Sequence, residues 1–378
     1  MSESQETVRP FQKVIGLMSG TSLDGVDAAW LETDGITVRS DGPSLTLPYD
    51  PALRRRLRAL LDRAPTYLPG VGPDEDPDLQ AIIHDLTMRH VMAVEAVTAQ
   101  AGMKADLIGF HGQTVLHAPD QGLTWQIGDA NLLARCTGVD VVADFRSADV
   151  KAGGQGAPLV PVYHAALAGH LALPVAFLNI GGVANVTWIG PSTAGRESLI
   201  LAGDTGPGNA LLDDWALRHT GTPCDVDGRL ALAGRVSETH LARFLAHPFF
   251  AQPLPKSLDR QHFHTFLEQI SDLSPEDGAA TLTALTAESV AALSLPDSPR
   301  RWLICGGGRC NPAMMTALKR ALSAEVVPVD QFGWNGDALE AQCFGFLAVR
   351  SRYGLPLSFP GTTGVPAPIT GGTFFPAM

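Results

Sequence analysis

After a polar start, the chain presents two apolar runs on either side of a short polar turn. The runs are residues 14–18 and 26–30, and the turn is residues 19–25. Apolar runs that border a glycine-rich turn are typical of a β-hairpin. A similar pattern recurs at residues 175–188, where two apolar stretches flank a pair of glycines. We therefore expect two similarly built halves, each opening with a hairpin.

Hydrophobic periodicity predicts most of the other elements. Helical spacing of apolar residues is found at 53–63, 79–100, 209–218, 280–293 and 337–353, and short buried strands are predicted at 37–49, 106–114, 139–145, 198–202, 301–308 and 325–329. A short helix is predicted at residues 125–136, and a flexible loop that forms a lid or a crossover is predicted at 151–158. A tight turn is predicted at 206–208, and the tail at 355–378 is predicted to be irregular. Strands that alternate with helices indicate an α/β fold.

Composition limits the classes of function. The 378 residues are enough for two domains with separate cores. The net charge of −12 argues against a broad surface for nucleic acid or an anionic membrane. No apolar run of about 18 residues occurs, and residues 1–10 lack a signal-peptide core, which predicts a soluble cytoplasmic protein. The five cysteines are scattered without a C-x-x-C pair, as expected for reduced thiols.

The first hairpin turn has the chemistry of a phosphate site. Gly20 and Gly25 allow close approach of the backbone, so several N–H groups can converge on one anion. Asp24 lies in the same turn, where a carboxylate could hold water on a divalent cation. The alternative is an ordinary Ser/Asp/Gly hairpin at a sheet edge.

Two later glycine-rich segments extend this pattern. Gly206 and Gly208 lead into a helix that begins at Asn209, and free N–H groups at a helix N-terminus favour an anion. Asp204, just before this turn, is a candidate base or metal ligand, with a simple capping role as the alternative. The strand at 301–308 ends in three glycines, against which a flat ring or a ribose could lie.

His111 and Gln113 follow a buried strand, at the position where ligands usually bind α/β sheets. A loop histidine with its hydrogen bonds satisfied is the alternative. The sequence contains no P-loop motif, no G-x-S-x-G elbow and no G-x-G-x-x-G after the first strand. We therefore expect phosphoryl transfer between two lobes, driven by positioning and by electrostatic stabilisation from amides and Mg²⁺.

Eight short motifs in a fixed order carry a specific resemblance. They are IGLMSGTSLDGVD at 15–27, FHGQT at 110–114, QIGD at 126–129, VVADFR at 141–146, AGGQGAPLVP at 152–161, NIGG at 179–182, DTGPGN at 204–209 and CGGG at 305–308. From about residue 13 to about residue 372, the chain resembles the anhydro-N-acetylmuramic acid kinase family. The resemblance implies the hexokinase/actin-like ATPase fold: two ribonuclease-H-like lobes around a central cleft that takes ATP and Mg²⁺. We divide the chain into a lobe at 1–150 and a lobe at 151–378, whose final helix could pack back on the first lobe.

Membership of the family implies an unusual reaction. Water opens the bridge of 1,6-anhydro-N-acetylmuramic acid while oxygen 6 attacks the γ-phosphoryl group of ATP, which gives the 6-phosphate in peptidoglycan recycling. The resemblance also implies a homodimer whose partners are otherwise the sugar and ATP.

The resemblance implies roles for individual residues. Asp204 matches the general base, with Glu340 as a possible assistant. The ATP-binding positions are Gly20, Thr21, Ser22, Leu23, Asp24, Gly25, Val26, Asp27, Gly206, Gly208, Asn209, Gly306, Gly307 and Gly308, with Asp24 also the metal candidate. The sugar-side positions are His111, Gln113, Asp129 and Arg146. Among these, Arg146 would meet the lactyl carboxylate, because a guanidinium fits a carboxylate bidentately.

Two segments depart from the family pattern. Residues 255–261 read PKSLDRQ where PKSTGRE is expected, and residues 339–341 read LEA where KEA is usual. These departures leave the sugar contacts open. The alternatives are a kinase of the same fold for another sugar, such as levoglucosan or an N-acetylhexosamine, and a non-catalytic actin-like nucleotide switch.

Overall fold

The computed structural model describes residues 9–20, 22–67, 77–192, 198–258 and 263–377. The strands are β1 (Gln12–Ser19), β2 (Gly25–Thr33), β3 (Val38–Pro48), β4 (Leu107–Ala118), β5 (Leu123–Ile127), β6 (Asp140–Ala143), β7 (Val175–Ile180), β8 (Val183–Ile189), β9 (Ile200–Pro207), β10 (Arg301–Cys305), β11 (Glu325–Pro328) and β12 (Thr373–Phe375).

The helices are α1 (Pro51–Arg63), α2 (Pro77–Ala101), α3 (Ala130–Thr137), α4 (Ser147–Lys151), α5 (Pro161–Ala168), α6 (Asn209–Thr220), α7 (Arg229–Ala233), α8 (Glu238–Leu245), α9 (Thr265–Gln269), α10 (Pro275–Ala291), α11 (Pro312–Ala321), α12 (Leu339–Arg352) and α13 (Pro360–Thr363). In the part of the chain that the structure describes, no helix is long and apolar enough to cross a membrane.

The chain forms two compact units. The first comprises Met1–Gly169 with Ala338–Met378, and the second comprises His170–Asp337. This division differs from the predicted one at residue 150, since α5 and the whole segment from Ala338 belong to the first unit. The difference arises because α12 packs on the sheet of the first unit, a possibility that the sequence had left open for the final helix.

The first unit is built on a seven-stranded mixed sheet with β1 near its centre. Short turns join β1, β2 and β3 into an antiparallel meander. The helical connection through α1 and α2 brings β4 back parallel to β1, and α3 leads to β6, parallel to β4. Parallel pairing requires such long crossovers, whereas a tight turn gives antiparallel pairing.

The second unit repeats this order in five strands. Antiparallel β7, β8 and β9 form the meander, and β10 and β11 follow in parallel on the other side of β7. The first sheet runs β3-β2-β1-β4-β6, with β5 as an added antiparallel strand on β4 and β12 beyond β6, and the second sheet runs β9-β8-β7-β10-β11 in the corresponding order. This repeat is the ribonuclease-H-like topology, and it confirms the predicted fold class of two such lobes.

Helix α12 lies unusually close to the sheet of the first unit because glycines line the contact. A Cβ on Gly16 would lie 1.7 Å from the carbonyl oxygen of Ala341, and one on Gly109 would lie 2.0 Å from that of Phe344. From the helix side, a Cβ on Gly345 would lie 2.6 Å from Leu31 Cδ2. The helix backbone thus rests directly on β1 and β4, and no side chain larger than hydrogen fits at these positions.

Three local predictions from the sequence are wrong. Residues 123–127 form β5, paired with β4, and the helix begins later, after Asp129 caps its first turn. Residues 206–207 belong to β9 rather than to a tight turn, since β8 pairs with β9 as far as Pro207. The tail is not wholly irregular, because it holds α13 and β12, and β12 pairs with β6. For β5, β9 and β12, pairing with another strand decides the conformation against the local signal, and for β12 that partner, β6, is distant in sequence.

We predict that Gly109→Ala destabilises the protein by about 3 kcal/mol or more, because the added methyl group collides with helix backbone that cannot move aside. Chemical denaturation measures the free energy of unfolding. The matched control is Gly169→Ala, in the same unit, where φ is −56° and a Cβ would lie 3.4 Å from its nearest neighbour. We expect a change within about 0.5 kcal/mol there, and equal stability of the two variants would contradict the prediction.

Candidate active site

The turn between β1 and β2 is held in a strained conformation. Leu23 adopts φ +59°, which costs a non-glycine residue about 1 kcal/mol, and its side chain is completely buried. Its backbone N–H donates to the carbonyl of Gly20 at 3.2 Å. Val26 is also fully buried, so Leu23 and Val26 could meet a ligand through backbone atoms alone. Thr21 lies outside the described residues.

Ser19 anchors the start of this turn. Its hydroxyl is 2.5 Å from the Tyr49 hydroxyl and donates to Gln113 Oε1 at 2.5 Å. Gln113 is fully buried, and its Nε2 donates to the carbonyl of Thr114. Gln113, a predicted sugar-side residue, therefore links β4 to the first turn. Burial raises the pKa of Tyr49 well above its usual value, so this phenol stays protonated.

Asp24 is exposed and forms an ion pair with Arg54 at 3.0 Å. Mg²⁺ at a nucleotide site normally takes one or two carboxylates together with phosphate oxygens and water. No group of three or more His, Cys, Asp or Glu side chains within the described ranges could hold a metal ion. A single exposed carboxylate in this turn fits a cation held mainly by phosphate oxygens and water, and Asp24 stays the predicted protein ligand.

His111 and Arg146, both predicted from the sequence, meet at the end of β4. The ring Nδ1–H of His111 donates to the carbonyl of Gly112 at 2.8 Å, which leaves Nε2 to accept from Arg146 Nε at 3.0 Å. Burial, helped by the nearby guanidinium, holds the pKa of His111 well below 6.5. The imidazole is thus a neutral acceptor that orients Arg146, and it is not an acid near neutral pH.

Helix α12 brings Glu340 to the same place. Partial desolvation by the surrounding protein raises the pKa of the Glu340 carboxyl, Arg146 lowers it and Asp27 raises it. By accessible surface the residue is exposed. Four residues later, Phe344 lies 4.5 Å from the His111 ring and 5.8 Å from the guanidinium carbon of Arg146. The first unit therefore brings the Arg146 guanidinium and the His111 ring to Phe344, with the Glu340 carboxyl close enough to Arg146 to interact with it electrostatically.

A recess of about 430 Å³ opens beside this cluster. Its lining includes His111, Gln126, Asp129, Asp144 and Ser147. The carboxylate of Asp129 accepts from the backbone N–H of Leu132 at 2.9 Å, so it caps α3 while it faces the recess. Two of the four predicted sugar-side residues, His111 and Asp129, thus share one concave surface within the first unit.

Asp204 lies on β9 in the second unit. The backbone N–H of Leu258 donates to its Oδ2 at 2.7 Å, and its own N–H donates to the carbonyl of Lys256 at 2.8 Å. Within the described ranges, Oδ1 has no hydrogen-bond partner. Burial raises the pKa of Asp204 to about 6, against smaller lowering effects of the Leu258 amide and of Lys256. A carboxylate with this pKa and one uncommitted oxygen is suited to accept a proton from water.

The first amides of α6 are engaged, in contrast to the free groups that the sequence suggested. The N–H groups of Gly208 and Ala210 donate to the carbonyl of Gly182, and that of Asn209 donates to Gly181 at 2.7 Å. The Asn209 side chain donates to the carbonyl of Ile180 at 3.0 Å. These groups therefore brace the turn between β7 and β8, which occupies the same topological position as the β1–β2 turn of the first unit.

The three glycines after β10 pack against this braced turn. Gly306 has φ +72°, and a Cβ there would lie 2.3 Å from Asn179 Oδ1, while one on Gly308 would lie 2.4 Å from Ile180 Cγ2. Gly307 is exposed and lies next to Asn209. The structure thus brings two predicted ATP-binding segments, 206–209 and 306–308, to one edge of the second sheet.

Four residues around these groups were missed by the sequence reasoning. Tyr49 and Phe344 contact predicted residues but carry no motif of their own. Lys256 is nearly buried, donates to the Phe249 carbonyl at 3.0 Å and lies 4.4 Å from that ring. Arg309, directly after the glycines, pairs with Asp337 at 2.7 Å and with Asp330 at 2.8 Å. In the sequence, the position of Arg309 directly after a run of three glycines was the feature that could have pointed to it.

Comparison with known proteins agrees with the resemblance. The family model described as anhydro-N-acetylmuramic acid kinase matches residues 12–377. A protein of that name from Acidiphilium cryptum is 58% identical over 359 residues, which cover 95% of this chain and 96% of the relative. One from Gluconobacter oxydans is 56% identical, with 95% and 98% covered. One from Paramagnetospirillum magneticum is also 56% identical, again with 95% and 98% covered. The chain therefore belongs to the anhydro-N-acetylmuramic acid kinase family.

Proposed function

We propose that this chain is an ATP-dependent kinase that opens 1,6-anhydro-N-acetylmuramic acid with water and phosphorylates it at oxygen 6. Family membership supports the reaction class. The proposed chemistry rests on the environment of Asp204, a half-buried carboxylate. Its pKa is raised to about 6, and within the described ranges its Oδ1 has no hydrogen-bond partner. A general base works best when its pKa lies near the working pH.

The reaction balances without a further reactant. A water oxygen forms a bond to the anomeric carbon as the bond from that carbon to oxygen 6 breaks, and the water proton passes to Asp204. Oxygen 6 then forms a bond to the γ-phosphorus of ATP, and the bond from that phosphorus to the β–γ bridging oxygen breaks. The products are N-acetylmuramic acid 6-phosphate and ADP, and the proton is released from Asp204 to solvent.

Each unit contributes a different part of this chemistry. In the first unit, the lactyl carboxylate pairs with Arg146, whose orientation is set by His111. Glu340 holds a second carboxylate near this cation and assists in ordering water. We assign nucleotide binding to the predicted ATP-binding segments at 20–27, 206–209 and 306–308. Asp24 would be a protein ligand of Mg²⁺, and the ion when bound would neutralise charge on the phosphates.

The proposed substrate is a fragment of bacterial cell wall. We therefore place this enzyme in the recycling of peptidoglycan in the cytoplasm, and we expect a homodimer from the family resemblance. Activity measurements distinguish both alternatives. A kinase for another sugar would phosphorylate that sugar, whereas a nucleotide switch would turn over no sugar.

We expect ATP-dependent release of ADP with 1,6-anhydro-N-acetylmuramic acid, and little with free N-acetylmuramic acid or levoglucosan, because bridge opening generates the nucleophile and Arg146 requires a carboxylate. A coupled ADP assay with each sugar and with none measures this. Turnover of free N-acetylmuramic acid alone would contradict the proposed mechanism. Sugar-independent ATP hydrolysis with assembly would favour the nucleotide switch.

We predict that Asp204→Asn lowers kcat by about 10³-fold or more while ATP binding, measured by calorimetry, stays within about threefold. The amide retains the hydrogen bond from Leu258 but cannot accept the proton from water. The matched control is Asp272→Asn, an exposed carboxylate of the same unit that pairs with His240 at 3.4 Å, and it should leave kcat unchanged.

The pH profile of the unmodified enzyme provides a second check on Asp204. The pKa is raised to about 6, and the deprotonated form is the base. The value of kcat/KM should therefore be constant above about pH 7 and fall about tenfold per unit below about pH 6. A profile that stays flat down to about pH 5, or an Asp204→Asn variant with near-normal kcat, would remove Asp204 from this role.

A further inference from the structure

Asp149 is a buried carboxylate that the proposed reaction does not use. Its side chain is 2% exposed and lies in α4 of the first unit. The backbone N–H of Gly156 donates to Oδ1 at 2.6 Å. The hydroxyl of Thr363 donates to Oδ2 at 2.6 Å, and that of Ser358 donates to the same oxygen. One hydrogen bond from the adjoining loop and two from a distant segment thus converge on this carboxylate. Burying a carboxylate costs desolvation free energy, so its retention here points to a specific role.

The glycine-rich loop at 152–158 is wrapped around this carboxylate. A Cβ on Gly154 would lie 2.3 Å from Asp149 Oδ1, so glycine is required there. The backbone N–H of Gln155 donates to the carbonyl of Thr363 at 2.7 Å, and that of Gly154 donates to the Asp149 carbonyl at 3.0 Å. The sequence predicts that this loop is a flexible lid or a crossover between domains. The structure shows its backbone hydrogen-bonded to the segment at 358–363.

The backbone of Gly156 connects Asp149 to Arg146. Its N–H donates to Asp149, and its carbonyl accepts from Arg146 Nη1 at 2.7 Å. Arg146 Nε in turn donates to His111 Nε2 at 3.0 Å. Two of the three guanidinium nitrogens are therefore held by the first unit, and Nη2 has no hydrogen-bond partner within the described ranges.

We propose that Asp149 is a positioning residue that sets the recognition of the sugar's carboxylate through Gly156 and Arg146. This inference rests on the proposed function, in which Arg146 meets the lactyl carboxylate. Asp149 fixes the carbonyl of Gly156, that carbonyl and His111 fix the plane of the guanidinium, and Nη2 is left aimed for the substrate. Since Asp149 acts through hydrogen bonds, its negative charge is not required for this role.

The inference separates two substitutions at the same position. Asp149→Ala removes all three acceptor contacts and releases the loop. In Asp149→Asn, the amide oxygen still accepts from Gly156, and the hydroxyls of Ser358 and Thr363 can turn to accept from the amide nitrogen. The conservative variant should therefore rescue the function that the alanine variant loses.

The experiment compares two sugars, 1,6-anhydro-N-acetylmuramic acid and 1,6-anhydro-N-acetylglucosamine, which lacks the lactyl group. For the acid sugar, we expect Asp149→Ala to raise KM, and the calorimetric Kd without ATP, by roughly 10- to 100-fold, since a charge-assisted pair is weakened. Values of kcat should change by less than about threefold. For the neutral sugar, KM and Kd should stay within about threefold, and Asp149→Asn should resemble the unmodified enzyme with both sugars.

Two controls separate positioning from a general loss of structure. Asp34→Ala removes a carboxylate that accepts from Ile36 N–H, Thr37 N–H and the Thr37 hydroxyl in the β2–β3 turn, and it should change neither sugar's binding. Arg146→Ala provides the background for a double-mutant cycle. Once Arg146 is absent, Asp149→Ala should weaken binding of the acid sugar no further.

If Asp149→Ala does not fold in a thermal unfolding assay, the variant Ser358→Ala/Thr363→Val tests the same link, with an expected rise of about 3- to 10-fold in Kd for the acid sugar alone. Equal losses for both sugars, additive effects with Arg146→Ala, or an Asn variant as weak as the Ala variant would overturn the inference. An enzyme that binds the acid sugar in an Asp149-dependent way but does not turn it over would contradict the proposed function and leave this inference intact.

Discussion

The close contact of α12 with β1 and β4 is the constraint on which the first unit's site depends. Glycines at 16, 109 and 345 let the helix backbone lie directly on the sheet, because a Cβ at any of them would overlap its neighbours. This contact fixes the height of the helix above the strands. Glu340 at its first turn, and Phe344 one turn later, consequently lie beside Arg146 and His111. A helix that follows the end of β4 by more than 200 residues thus contributes to the candidate site in the first unit.

The two units share a sheet topology but hold polar groups in different electrostatic environments. The first unit orients a guanidinium with a neutral histidine and a backbone carbonyl, so that its remaining N–H groups can recognise an anion. The second unit raises the pKa of Asp204 by burial to about 6 and gives it one backbone hydrogen bond. Both arrangements bury polar groups at a cost in stability, which is the usual compromise where function needs a perturbed group.

Much of the fold could be predicted from the sequence, and less of the site. The two hairpins, the long helix α2 and the strands β9 and β10 follow from apolar patterns. The family motifs predict functional roles for Asp204 and Arg146. The conformations of β5, the end of β9 and β12 depend on strand partners that local propensity does not reveal. The engaged amides of Gly208 and Asn209, and the buried role of Asp149, depend on contacts with distant segments. Such contacts leave no local pattern.

The most direct test of the account is the fate of water oxygen during turnover in water enriched in oxygen-18. Attack of water on the anomeric carbon places the label on carbon 1 of the sugar phosphate, and the ester oxygen at carbon 6 keeps its original isotope because it derives from the bridge. Mass spectrometry of the product, quenched before exchange at the anomeric centre, distinguishes the positions. We predict one labelled oxygen at carbon 1 and none in the phosphate. Label in released phosphate, or an unlabelled sugar product, would contradict the coupling of bridge opening to phosphoryl transfer.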